Sequence, residues 1–235
     1  MTDPATTRAA ETLRVRMDAA LEEFDRAAAV ALVHQALDAG ELDIMTLYRL
    51  VLAPLLDDVG AAWSEGRERV WQEHFATSTV VTIIESLYPR VRALAAHAGP
   101  CGNTAVLAAP SDEHHVVGLR MVSDHFELAG WRVVYLGADT PEEEIRSAVT
   151  GIPADALVMS ASTHFQRVQL RHIADQLREE LPGIRIWVGG AAFALEHEGW
   201  PDSELLDLPS IAEAARLACL GTDLMSADHD EAGQA

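Results

Sequence analysis

The pattern of apolar residues changes near residue 100, and this change constrains the fold more than any other feature of the sequence. Up to about residue 97, apolar residues recur at helical spacing, as in Val30, Val33 and Leu37. The breaker-rich segment HAGPCGN (97–103) then precedes short β-rich runs that alternate with amphipathic helices. Such alternation is typical of a parallel sheet covered by helices. We therefore predict two domains of different class.

The helical periodicity of the N-terminal part predicts a short antiparallel bundle of four helices, which we assign to residues 1–98. Gly40 and the turn SEGRE around Gly66 interrupt the helical periodicity. The predicted helices are therefore 7–22, 24–38, 42–64 and 69–96. Pro54 and Pro89 fall inside the last two, where a proline is expected to kink a helix.

The second part predicts a Rossmann-like (flavodoxin-like) parallel sheet of five strands, which makes the fold class α/β. The candidate strands are TAVLAAP, WRVVYLG, DALVMS, IRIWVG and ELLDL, at 104–110, 131–137, 155–160, 184–189 and 204–208. The intervening segments have helical periodicity and would cover both faces. Residues 103–222 are assigned to this domain, and the polar tail 223–235 is expected to be disordered.

Composition excludes several classes of protein. The chain has 17 Lys and Arg against 37 Asp and Glu, so its net charge of −20 would repel a nucleic acid backbone. We find no signal peptide and no apolar run of membrane-spanning length. Cys101 and Cys219 are far apart in sequence and suggest neither a disulfide framework nor a CxxC site. A soluble protein of the reducing cytoplasm, without a membrane or nucleic acid partner, is expected.

Three unusual loops follow three of the predicted strands. They are Glu113-His114-His115-Val116-Val117-Gly118, Ser160-Ala161-Ser162 and Gly189-Gly190. In a doubly wound sheet, ligands bind beyond the carboxyl ends of the strands, so the loops would face one site. Each alone has an ordinary explanation, as an exposed histidine, a strand-end hydroxyl and a plain turn. Their joint spacing favours a binding site.

The three motifs together resemble the cobalamin-binding fold of methionine synthase, mutases and corrinoid proteins. That family has an acidic residue, x, His, x, x, Gly, then Ser-x-Thr or Ser-x-Leu, and then Gly-Gly. The resemblance implies that His115 is the lower axial ligand of cobalt and replaces the cofactor's own dimethylbenzimidazole. Glu113, where the family more often has Asp, would bind the other ring nitrogen. His114 is interpreted as an exposed neighbour, and Gly118 completes the motif.

The same resemblance assigns the remaining loop residues to the nucleotide tail of cobalamin, which would enter a slot beside the sheet. Ser160 and Ser162 would offer hydroxyl groups to the tail. Gly189 and Gly190 would let the backbone approach it where a Cβ atom would clash. Ser162 departs from the Thr or Leu of the family pattern.

The helical part carries a narrower resemblance. Trp63 is followed, after nine residues, by Glu73-His74. This spacing resembles the light-sensing cobalamin domains of carotenoid-gene repressors, as does WRVVYLGADTP (131–141), and the resemblance spans about residues 5–222. It implies a bundle over the upper face of adenosylcobalamin, with Trp63 against the upper group, Glu73 on the adenosyl ribose and His74 beside them. A core aromatic and a solvated polar patch are the simpler interpretations.

Two departures from those repressors bear on the output of the protein. Residue 1 lies almost at the start of the bundle, so we expect no DNA-binding module and expect the signal to pass to another protein. Ser64 occupies the position of a histidine that captures cobalt after the adenosyl group leaves. Serine is a weak ligand for cobalt, so either another residue such as His74 binds the metal or water remains.

Stand-alone proteins of this type resemble the photocobilins. That resemblance implies a homodimer with a second chromophore, usually biliverdin, bound noncovalently near the protomer interface. Core or interface roles are the favoured interpretation of five aromatic residues, although a tetrapyrrole would also need such surfaces: Trp71, Phe75, Trp187, Phe193 and Trp200.

These features predict a cobalamin-dependent photoreceptor rather than an enzyme. Light would break the cobalt–carbon bond and change a dimer or partner surface. Two alternatives remain open. One is a corrinoid methyl-carrier subunit of a methyltransferase, and the other is a cobalamin-binding antirepressor whose acidic surface imitates nucleic acid.

Overall fold

The computed structural model describes residues 3–67, 69–193 and 199–219. These residues divide into two compact units, one helical and one containing the sheet, with the division between Pro89 and Arg90. The predicted tail 223–235 lies outside the described residues. None of the described helices is both long and apolar enough to cross a bilayer.

Helices make up the first unit, as the periodicity predicts. They are α1 (Pro4–Glu22), α2 (Arg26–Asp38), α3 (Ile44–Leu47), α4 (Ala53–Ser64) and α5 (Val70–Ala98), the last of which continues past the division. Asp25 and Asp43 begin α2 and α3, and their side chains accept backbone N–H groups of the first turn. The largest fully buried side chains of this unit include Met17, Tyr48 and Leu55.

The third predicted helix, 42–64, contains a change of helical type. Tyr48–Leu52 form a π-helical turn between α3 and α4, and Pro54 follows directly. Proline has no N–H to donate, and its ring crowds the carbonyl group four residues earlier, here that of Leu50. The wider π turn relieves this contact. Pro54 therefore interrupts the regular α-helix, while Pro89 lies inside α5.

A four-stranded parallel sheet forms the centre of the second unit. Its strands are β1 (Thr104–Pro110), β2 (Arg132–Thr140), β3 (Ala156–Ser160) and β4 (Arg185–Gly189), in the order β2-β1-β3-β4. The helices are α6 (Val117–Leu128), α7 (Glu142–Gly151), α8 (His164–Glu180) and α9 (Leu208–Cys219). The predicted Rossmann-like α/β class is confirmed.

Alternate residues of the buried strands serve the two faces of the sheet. Val106 and Ala108 pack in the cluster that includes residues of α7 and α8. Ala105 and Leu107 pack in the cluster that includes residues of α6 and α9. Because both faces are covered, all of β1 is buried, which explains why its sequence is a continuous apolar run.

The fifth predicted strand, 204–208, is wrong as a strand. Asp202–Glu204 form a 3-10 turn, and Leu205 makes an isolated parallel bridge to Val188. Because α9 already begins at Leu208, too few residues are extended to form a ladder. The predicted helix 191–198 begins with the 3-10 turn Ala191–Phe193, and residues 194–198 lie outside the described part.

Cys101 and Cys219 form a disulfide, which contradicts the expectation from their sequence separation. They are 118 residues apart, yet their Cα atoms lie 5.5 Å from each other, a normal separation for bonded cysteines. Helix α9 returns the chain to the segment before β1, where Asn103 Nδ2 donates to the carbonyl of Ala218 at 3.3 Å. The cysteines therefore give no argument for a reducing compartment.

We expect reduction of this disulfide to destabilise the sheet-containing unit. A cross-link over a loop of this length restricts the unfolded chain and typically contributes about 2–4 kcal/mol. Cys101→Ser and Cys219→Ser should lower the Tm equally, measured by circular dichroism. Dithiothreitol should lower the Tm of the native chain but not that of either variant. An unchanged native Tm, with both thiols shown to be free by mass spectrometry, would contradict this expectation.

Candidate functional site

His115 lies in the loop between β1 and α6, at the carboxyl edge of the sheet. Its side chain is 81% exposed, and its Nδ1 lies 2.9 Å from Oε1 of the fully buried Glu113. Because a carboxylate oxygen accepts a hydrogen, Nδ1 is the donor in this contact, and Nε2 is the ring nitrogen left for another partner. The imidazole is thus oriented by a buried anion while most of its side chain stays exposed.

Hydrogen bonds from His115 and Ser162 fix the Glu113 carboxylate. Oε1 also accepts the backbone N–H of His115 at 2.7 Å, and Oε2 accepts the backbone N–H of Ser162 at 2.6 Å. Burial raises the pKa of Glu113, but the hydrogen bonds from His115 and Ser162 outweigh burial and lower the pKa below its ordinary value. The carboxylate is therefore ionised at neutral pH, and it joins the loop after β1 to the loop after β3.

The surface beside His115 is open at Gly118. This residue is exposed in the first turn of α6, and a Cβ atom placed on it would meet nothing within 4 Å. The protein's own packing therefore does not require glycine here. His114 is exposed as well, as expected for a neighbour rather than part of the Glu113 contact.

Packing inside the protein does require the other two glycines of the motif. A Cβ atom on Gly189 would lie 2.5 Å from the carbonyl oxygen of Leu206. One on Gly190, which has φ +100°, would lie 2.5 Å from the carbonyl oxygen of Ala161 and 2.8 Å from Oγ of Ser160. These glycines thus let the chain at the end of β4 pack closely against Leu206 on one side and Ala161 on the other. The sequence interpretation missed this reason for the glycine pair.

The two serines of the motif lie at the end of β3 and just beyond it. Ser160 pairs with Gly189 in the sheet. Ser162 donates its backbone N–H to Glu113, and its side chain also hydrogen-bonds that carboxylate, so both parts of the residue support the histidine. Both serine residues are half-buried at the carboxyl edge.

In the helical unit, Trp63 and His74 line one open depression with a volume of about 600 Å³. Trp63 is 51% exposed, which excludes a core role. Trp71 lines the same depression, which the sequence interpretation missed, although it lies only three residues before His74. The Ser64 hydroxyl is bound within its own helix, since its Oγ donates to the carbonyl of Ala61 at 2.9 Å.

Glu73 and His74 lie next to each other at the start of α5. Oε1 of Glu73 accepts the Thr77 hydroxyl at 2.7 Å, and its Oε2 lies 3.4 Å from Nε2 of His74. The His74 side chain is 71% exposed. The start of α5 therefore presents an imidazole and a partly fixed carboxylate together.

The aromatic residues considered for a bilin do not form one group. Trp187, Phe193 and Trp200 are buried in the sheet-containing unit, where they have core roles. Trp71 and Phe75 belong to the helical unit and pack against Phe24, with ring centroids 5.1 and 5.4 Å away.

The arrangement at His115 offers one oriented imidazole, which could complete the coordination of a metal already held by a macrocycle. Across residues 3–67, 69–193 and 199–219, no three His, Cys, Asp or Glu side chains are grouped as a metal site.

The comparisons with known proteins agree with this chemistry. Two family models, each described as a B12 binding domain, match residues 103–205 and 13–88. The chain belongs to the B12-binding proteins. The HTH-type transcriptional repressor CarH of Myxococcus xanthus is 33% identical over 78% of this chain. That similarity confirms the predicted resemblance to the repressor family, although the chain spans only 59% of the length of CarH.

Corrinoid proteins form the second group of relatives. Trimethylamine corrinoid protein 1 of Methanosarcina acetivorans is 25% identical over 80% of this chain and 86% of its own length. The structure of the Methanosarcina barkeri monomethylamine corrinoid protein has a TM-score of 0.72 and 19% identity, covering 88% of this chain and 99% of its own. The fold is therefore shared with corrinoid proteins. CarH is named as a repressor and these relatives are named as corrinoid proteins, and neither name is that of an enzyme.

We expect His115 and His114 to differ sharply in cobalamin binding. His115→Ala should abolish the imidazole-ligated absorption spectrum of bound cobalamin because it removes the imidazole that Glu113 orients. His114→Ala is the matched control, since it removes an adjacent exposed imidazole, and should leave that spectrum unchanged. Titration of both variants with hydroxocobalamin provides the measurement. Equal spectra for the two variants would rule out the assignment.

We expect Gly118 and Gly190 to separate ligand contact from protein packing. Gly190→Ala should lower the Tm of the cofactor-free protein because its Cβ would collide with the Ala161 carbonyl. Gly118→Ala should fold normally, since alanine favours helices, but should weaken cobalamin binding by placing a methyl group beside His115. Calorimetric melts and binding titrations check these effects. Full cobalamin affinity in Gly118→Ala would show that no cofactor approaches that turn.

Proposed function

We propose that this B12-binding protein is a light sensor that binds adenosylcobalamin with His115 as the lower cobalt ligand and signals to another protein. The observation that carries the binding step is the exposed imidazole of His115, held by the fully buried, ionised Glu113. Similarity to CarH over 78% of the chain supports the sensing role.

The sheet-containing unit would hold the lower side of the cofactor. His115 Nε2 would replace dimethylbenzimidazole on the metal, and the nucleotide tail would lie near Ser160 and Ser162 at the end of β3. Gly118 leaves room beside the imidazole. Because Glu113 and Ser162 already fix the ring, little side-chain freedom is lost when the ligand bond forms.

The helical unit would contact the upper side of the cofactor through Trp63, Glu73 and His74. When bound, adenosylcobalamin supplies a cobalt–carbon bond that light breaks. A ligand in the depression would cover Trp63 and His74, which are 51% and 71% exposed. A two-state switch requires contacts that exist in only one state, and contacts of the upper group with Trp63 and His74 would be of this kind.

The residues also suggest how the light state is held and passed on. Ser64 Oγ is bound to its own helix, so His74 is the nearby imidazole able to take a vacated metal position. A second copy of the chain or a protein partner would detect the rearranged surface, and the net charge of −20 favours a basic partner. Biliverdin is not needed for this proposal.

Spectroscopy and hydrodynamics in darkness and light test the proposed function. We expect adenosylcobalamin to bind with an imidazole-ligated spectrum, and illumination to change both that spectrum and the size measured by chromatography with light scattering. Trp63→Ala should retain binding at His115 but lose the size change, because it removes an exposed indole ring from the depression.

Methylcobalamin and the His115→Ala variant serve as controls. The native protein should prefer adenosylcobalamin over methylcobalamin, since Trp63 and Glu73 would recognise the larger upper group. Identical size in light and darkness, with the bond shown to be broken, would overturn the switch while leaving cobalamin binding intact.

A corrinoid methyl-carrier is the second candidate. It is supported by the trimethylamine corrinoid protein, which aligns with this chain over 86% of its own length. A methyl carrier should accept a methyl group from a small donor and methyltransferase and should not favour the adenosyl form. Methyl transfer with equal binding of both cofactors would favour this candidate over the light sensor.

A further inference from the structure

The loop that carries Glu113 and His115 is held from the adjacent strand by Asp139. Oδ1 of Asp139 accepts the backbone N–H of Asp112 at 2.9 Å. In the opposite direction, the backbone N–H of Asp139 donates to the carbonyl oxygen of Glu113 at 3.0 Å. Asp139 therefore contacts the main chain on both sides of the peptide group that joins Asp112 to Glu113.

Both aspartates of this contact have left-handed backbone conformations. Asp112 has φ +65° and Asp139 has φ +50°. This region is uncommon for residues with a side chain, although Asp and Asn enter it more readily than most. Such conformations persist where surrounding contacts hold them, and they occur often at functional sites. The reciprocal hydrogen bonds between this loop and strand β2 provide those contacts here.

The strand pairing does not account for Asp139. The register between β1 and β2 shifts between Ala108 and Pro110, whose partners are Gly137 and Thr140. Asp139 lies in the stretch that this shift leaves out of the ladder, and it is exposed. Its side chain is therefore free from sheet formation and from the core, and its hydrogen bond to Asp112 is its contact with the loop.

A second element holds the same loop from the other side. Gln166, in the first turn of α8, donates from Nε2 to the carbonyl oxygen of Asp112 at 3.0 Å. Its Oε1 accepts the backbone N–H of Thr163, which begins that helix. Gln166 thus fixes the carbonyl of Asp112 while Asp139 fixes its N–H. Neither residue belongs to the three motifs quoted from the sequence.

We propose that Asp139 is a positioning residue for the cobalt ligand, a role that rests on the proposed ligation by His115. Asp139 accepts the Asp112 N–H with its side chain and donates its own N–H to the Glu113 carbonyl. These two bonds orient the main chain that carries the Glu113 side chain. Glu113 Oε1 in turn binds both the backbone N–H and Nδ1 of His115. The position of the imidazole therefore depends on a carboxylate that touches neither the histidine nor the metal.

Two substitutions distinguish the effect of the Asp139 side-chain acceptor from the effect of its left-handed backbone conformation. Asp139→Gly favours the left-handed backbone but removes the acceptor, whereas Asp139→Asn tolerates that backbone and keeps an oxygen acceptor. The probe is adenosylcobalamin, photolysed without oxygen to the cobalt(II) form. Electron paramagnetic resonance of this form shows nitrogen splitting from an axial imidazole and so counts ligated cofactor among all bound cofactor.

We expect Asp139→Asn to match the native protein and Asp139→Gly to lower the ratio of ligated to unligated cobalt about fivefold, as expected for one lost hydrogen bond. His115→Ala gives the baseline without ligation. Because the ratio is taken over bound cofactor alone, partial loss of folded protein does not imitate the effect, and circular dichroism reports the folded fraction separately.

The outcomes distinguish this inference from the proposed function. Native protein with clear nitrogen splitting, together with equal ratios for Asp139→Gly and Asp139→Asn, would overturn the role of Asp139 alone. Native protein without nitrogen splitting would overturn ligation by His115 and the role of Asp139 together. A fall in both variants to the same level would show that the charge, rather than the acceptor oxygen, matters and would also overturn the proposal as stated.

Discussion

The buried carboxylate of Glu113 is the contact on which the binding site depends. Burying an anion is costly unless hydrogen bonds replace the lost water, and here His115 and Ser162 provide them. The same bonds bring together loops that follow two different strands. Consequently the orientation of an exposed imidazole is determined by a group that solvent cannot reach, which gives the imidazole a fixed position before anything binds.

Much of the fold was predictable because periodicity is a local property. The helical spacing before residue 97 and the continuous apolar run of β1 each reflect how many faces of an element are covered. The failed strand at 204–208 shows the limit of such patterns. Its composition is that of a strand, but the adjacent 3-10 turn and the start of α9 leave only Leu205 able to bridge to Val188.

Site residues that belong to a sequence motif could be predicted. Residues that reach the site only through folding could not. Glu113, His115 and Ser162 follow from the spacing of three loops, and the structure places them in contact. Asp139 lies in the quoted segment 131–141, but it and Gln166 act through main-chain groups of Asp112, so their residue types did not reveal this role. The reason for Gly189 and Gly190 was likewise hidden, because Leu206 and Ala161 approach them only in the folded chain.

The pairing of Cys101 with Cys219 has a consequence for the architecture of the sheet-containing unit. Cys101, shortly before β1, and Cys219, at the end of the last described helix, have Cα atoms 5.5 Å apart. A domain with adjacent entry and exit can be inserted into a surface loop of an unrelated host with little distortion of either. The disulfide therefore links the two ends of the sheet and its helices covalently, as would suit a domain that is inserted into another protein.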